Sequence, residues 1–236
     1  MNVFRLAGAA LALALSTQAL AVGRIADINV FDRSNGRRLP VYWHAGQAYV
    51  VGRPGSEYRI EVRNREGGDL LAVMSVDGVN VITGASAHPA QSGYVIGPRG
   101  RLAVDGWRKS LERTAAFYFT ALGDSYAART GRPEDVGVIG VALFRRKAEP
   151  PQPFSGIASE PRAAARDSAK AEESLGTGHG RSETSYARHV TFERATPHPA
   201  ETIAIRYDSY RNLVALGVIR ETPRHPRPFP GFVPDA

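Results

Sequence analysis

The residues best equipped for chemistry gather late in the chain. Gly176-Thr-Gly-His-Gly180 sets His179 among glycines, whose missing side chains allow close approach to the imidazole. His189, Glu193 and His198 follow. Imidazole and carboxylate together form a ligand set for a divalent cation. If residues 189–193 are a strand, the two-residue side-chain repeat puts His189 and Glu193 on one face. His179, His189 and Glu193 are therefore the candidate metal ligands, for a hydrolase that is metal-dependent or of an unrecognised class. The competing expectation is a flexible glycine-rich linker that needs no cofactor.

Other polar groups point to contact with a ligand or partner. Ser75-Val-Asp-Gly-Val-Asn-Val-Ile-Thr-Gly84 presents Asp77 and Asn80. Its acids do not alternate as in a Ca²⁺ loop, and a turn in which both residues bond their own backbone accounts for them. Trp107 beside Asp105-Gly106 is either a contact residue or a clamp at a sheet edge. Asp124 and Arg129 flank a short helix, as pocket residues or as a cap and a solvated charge. Common catalytic motifs are missing: no GxSxG elbow or SxxK pair, no phosphate-binding loop or HExxH. With no cysteine, a thiol nucleophile is excluded.

The elements that must position these residues read as mainly β. Short apolar segments separated by Gly, Pro, Asn and Asp run from Ile25–Phe31 to Val136–Phe144. Tyr58 to Arg63 alternates apolar and charged, the mark of a half-buried strand. Asp77-Gly78 is a tight hairpin signal. Val136–Phe144 is apolar enough to be a central strand covered on both faces, with Gly137 and Gly140 marking close approach or a bulge. A short helix is expected near Ser125–Arg129, capped by Asp124 or Ser125. The fold expected is an antiparallel β-sandwich or open barrel, followed by a flexible linker and a small ββα appendage.

The boundaries follow composition. Residues 1–21 carry Arg5, an apolar run and Ala19-Leu20-Ala21, the three-part pattern of a cleaved signal peptide. Residues 22–147 hold the sandwich. Residues 148–185, rich in Pro, Gly and Ala, read as a linker, with a ββα unit at 186–220 and a Pro-rich tail at 221–236. No apolar stretch in the mature part reaches the ~18 residues of a membrane span.

Net charge is +7, with 30 Lys+Arg against 23 Asp+Glu. The arginines are scattered rather than set in a patch or stripe, so no nucleic-acid partner is expected. The segments SVDGVNVITG, GYVIGP, SYAARTGRPEDVGVIGVALF and GTGHG together resemble a group of uncharacterised exported proteins of Gram-negative bacteria. That resemblance implies export and carries no activity. The expectation is a periplasmic or secreted, non-catalytic binding module whose partner is an envelope protein or polymer. A two-domain pilus-type chaperone would need a second full sandwich, for which residues 186–220 are too few.

Overall fold

The computed structural model describes residues 22–148 and 175–220. The signal pattern, the first part of the linker and the Pro-rich tail lie outside the described residues.

Two sheets carry the fold. The first contains β1 (Ala26–Asp32), β4 (Glu57–Asn64), β8 (Arg101–Val104), β9 (Gly106–Arg108), β10 (Arg113–Ala121) and β12 (Leu175–Thr184). Its order is β1-β4-β10-β12, with β8 on β4 and β9 on β10. The second runs β2 (Val41–His44), β3 (Gln47–Val51), β13 (Glu201–Asp208), β11 (Val138–Arg145), β5 (Leu70–Val76), β6 (Val79–Asn80), with β7 (Tyr94–Ile96) on β5. Every pairing is antiparallel except β3 with β13. The sheets stay open rather than closing into a barrel.

Alternation decides which face is buried. In β4, Tyr58, Ile60 and Val62 point inward while Arg59, Glu61 and Arg63 point away. Phe117 and Phe119 join them from β10, facing Met74, Ile139, Leu143 and Ile205 of the second sheet in one core. Each such side chain contributes about 1.5–3 kcal/mol on burial. β11 lies between β13 and β5 and is covered on both faces. On its outer side Ala142 and Phe144 meet Leu71, Val73 and Phe192. At Gly140 a Cβ would run into the Ser75 hydroxyl.

The short connections follow their sequences. Asp77-Gly78 joins β5 to β6 with φ of 52° and 69°. Ala45-Gly46 joins β2 to β3 with φ of 47° and 75°. Two successive positive φ angles are the twist-matched hairpin turn. The short helix α1 (Tyr126–Arg129) is capped by the Ser125 hydroxyl, which accepts from the Ala128 amide at 3.1 Å. A second helix, α2 (Tyr210–Ala215), is capped by Ser209. Behind it Leu213, Val218 and Ile219 pack on Tyr42, Tyr49 and Val51, the outer face of β2 and β3.

The C-terminal third departs from the sequence reading. Leu175–Thr184, expected within a linker, is a ten-residue strand on β10. Its glycines leave room for neighbours: a Cβ at Gly176 would strike Ser125, and one at Gly178 the ring of Tyr118. Residues 189–193, expected as a strand, have no strand partner. They run outside the second sheet, where Arg194 sits 4.1 Å over the Phe144 ring. The strand expected at 202–207 is present as Glu201–Asp208. As β13 it is inserted between β3 and β11.

Candidate functional site

Between the sheets lies a closed polar chain. Asp77 sits at the β5–β6 turn, Thr177 on β12, Tyr58 on β4 and Tyr207 on β13. Asp77, Thr177 and Tyr58 are 0% exposed and Tyr207 2%. The Asp77 Oδ1 accepts from the Tyr207 hydroxyl at 2.5 Å and the Gly137 amide at 2.9 Å, and Oδ2 from the Thr177 amide at 2.7 Å. The Thr177 hydroxyl lies 2.7 Å from Tyr207 and 2.5 Å from Tyr58. An ionised carboxylate only accepts, which sets the order of donors. Tyr58 donates to Thr177, Thr177 to Tyr207, and Tyr207 to Asp77. Four elements from both sheets are thus tied to one fully buried carboxylate.

Burial pushes the Asp77 carboxyl up to about 6, against the pull of the Tyr207 hydroxyl and the Thr177, Gly137 and Val138 backbone. Burial also holds both tyrosines well above their usual range, with the Asp77 charge adding to it. His179 moves the other way: burial, then Lys109 and Arg129, lower it to about 4. Its ring stacks on Tyr126, centroids 5.1 Å apart.

The signs oppose. From 3.8 to about 6 the folded state binds the Asp77 proton more tightly than the unfolded chain does, so this group's contribution falls as pH rises, by roughly 3 kcal/mol in all. Between about 4 and 6.5 the unfolded chain holds the His179 proton more tightly, so that contribution rises with pH. Urea unfolding from pH 4 to 6 should show this against the wild type. His179→Phe makes stability fall more with rising pH, and Asp77→Asn makes it rise more. Parallel curves would contradict both assignments.

The residues singled out from sequence are dispersed. Trp107 is 3% exposed, edge-on to Phe117 and tilted against Tyr126, each 5.2 Å away. Asn80 caps its own turn, its Oδ1 accepting from the Ile82 and Thr83 amides, while its Nδ2 donates to the Ser92 carbonyl. Asp77, by contrast, reaches out of its turn. Asp124 and Arg129 are exposed at the ends of the α1 region. Glu193 pairs with Lys147. Among the described residues, no three His, Cys, Asp or Glu side chains stand where they could hold a metal ion.

One surface feature was not read from the sequence. β2 is the last strand of its sheet, and among the described residues nothing pairs with its outer edge. The two-residue turn makes His44–Gln47 the hydrogen-bonded pair next to the loop. Alternation along the ladder then turns the amide and carbonyl of Trp43 and Val41 outward. Trp43 is 55% exposed, an unusual state for so large an apolar ring. Gly217 lies beside His44, which brings Leu216, 60% exposed, to the same corner.

No family model, no curated protein and no solved structure matches this chain.

The sequence did hold a sign of this corner. Val41 to His44 and Gln47 to Val51 flank Ala-Gly, a hairpin pattern, and β2 is only four residues long. What the sequence could not show is that β13 would fill the far side of β3 and leave β2 outermost. Among the described residues, no helix is long and apolar enough to cross a membrane.

Proposed function

We propose that the protein is an exported, non-catalytic binding module of the bacterial envelope, periplasmic or secreted, which takes an extended segment of a partner protein along β2. The observation that carries this is Trp43, more than half exposed on a strand edge whose backbone groups are free among the described residues. Strand addition uses such edges: backbone hydrogen bonds give affinity, and alternate side chains give specificity. Solvent-exposed edges are otherwise blunted by shortness, charge, proline or a bulge; Val41-Tyr-Trp-His44 is short but holds no Lys, Arg, Asp, Glu or Pro. Export rests on the pattern in residues 1–21. The non-catalytic reading rests on the perturbed Asp77 and its hydroxyl chain being sealed from any substrate.

The test is co-purification from the envelope of cells exporting the full chain. Trp43→Ala should weaken retention of the partner roughly thirtyfold, about 2 kcal/mol, as for a tryptophan at the centre of an interface. Leu111→Ala, at 44% exposure in the loop between β9 and β10, should retain it. Equal retention by both variants rejects the proposal.

A further inference from the structure

Beside β2 the two sheets part into a cleft of about 470 Å³, within the range of roughly 300–1,000 Å³ typical of ligand sites. Its apolar wall includes Leu39, Tyr42, Val51 and the buried ring of Phe119. Arg37, Arg38 and Arg53 also line it, together with two carboxylates, Asp32 and Glu57.

The carboxylates are already engaged. Asp32 accepts from the Ser34 hydroxyl at 2.6 Å, the Ser34 amide at 2.8 Å and Asn35 Nδ2 at 3.2 Å. Those bonds, and after them the Arg53 charge, hold its carboxyl below the usual range. Glu57 takes both ends of the Arg181 guanidinium, at 2.8 and 2.9 Å, and pairs with Arg33 at 3.3 Å. Its carboxyl is held low by Arg181 first and Arg33 after it.

The cations are not so engaged. Arg38 is held by one bond to Asn29 Oδ1 at 3.2 Å. Arg37 and Arg53 make no side-chain hydrogen bond or ion pair among the described residues. A larger depression elsewhere, about 560 Å³, shows the contrast: there Arg145 pairs with Glu66 and Arg146 with Asp69. In the cleft beside β2, Arg37 and Arg53 stand next to an apolar wall with no side-chain hydrogen bond or ion pair among the described residues.

We infer that this cleft binds an amphipathic anion, a carboxylate or phosphate ester whose apolar body lies on Tyr42, Leu39 and Val51 while Arg53 and Arg37 hold its head. Guanidinium suits such heads because its planar fork matches two oxygens at once. This site is separate from the outer edge of β2 and stands whether or not a protein docks there.

The test is isothermal titration of the full mature chain with monomeric decanoate, with decyltrimethylammonium as the same body under a cationic head. Decanoate should bind saturably at one site and more weakly as salt rises. Arg37→Gln/Arg53→Gln should weaken it at least tenfold, and the exposed Arg63→Gln should not change it. Folding of each variant is checked by urea unfolding. Equal binding of the cationic analogue, or an unchanged double variant, overturns the inference. So does binding to phosphatidylglycerol vesicles with none to monomeric decanoate, since that places the recognition on a membrane surface.

Discussion

Asp77→Ala should lower the unfolding free energy by about 3–5 kcal/mol, a large share of the 5–15 kcal/mol typical of a domain. The substitution strands three donors in the interior: the Gly137 and Thr177 amides and the Tyr207 hydroxyl. Each buried donor left without an acceptor costs about 1–3 kcal/mol. Against this stands the relief of burying a charge, roughly 3 kcal/mol by the rise of the carboxyl to about 6. The donors outweigh it. Alanine also loses at φ 52°, a conformation that Asp and Asn tolerate better. Asp77→Asn keeps one acceptor oxygen and the backbone preference, and should cost about half as much. Urea unfolding of the three proteins at pH 7 measures both differences. An Asp77→Ala protein within about 1 kcal/mol of wild type would show that the hydroxyl chain does not join the sheets.

Gly106→Ala should cost about 3 kcal/mol or more, at the upper end for overpacking. Gly106 pairs with Ala116, and a Cβ there would fall on the Ala115 carbonyl oxygen and against the Ala116 Cα. Both are backbone atoms of β10, which β12 holds from its other side, so no rotamer change relieves the clash. β9 must lift, and Trp107 leaves its packing against Phe117 and Tyr126. The expected signature is a lower urea midpoint together with red-shifted fluorescence from Trp107. Gly67→Ala, where nothing lies within 4 Å of the added carbon, should stay within about 0.5 kcal/mol. Equal behaviour of the two variants would contradict the account of β9.

What the sequence disclosed was local. The alternation of Tyr58 to Arg63 revealed β4, and Asp77-Gly78 revealed its turn. The apolar run around Val141 revealed a strand covered on both sides. What it hid was non-local. Gly176-Thr-Gly-His-Gly180 has the composition of a loose linker, yet the missing side chains are filled by Ser125, Val136 and Tyr118 from elsewhere in the chain. β13 showed its alternation but not its neighbours, β3 and β11. The same gap explains Asp77. As a turn residue it needed no partner beyond its own backbone, and its reach to Thr177 and Tyr207 depends on two strands arriving a hundred residues or more later. The cleft arginines were invisible for a similar reason: Arg37-Arg38 and Arg53 lie in separate loops, which meet where β1, β3 and β10 end together.

The most direct test of the proposed function replaces Trp43 with a photoreactive aromatic residue in cells that export the full chain. Illumination should yield one discrete adduct with another protein from position 43 and none from the same residue placed at 111. No adduct at 43, or the same adducts from both positions, would contradict a partner-binding role for β2.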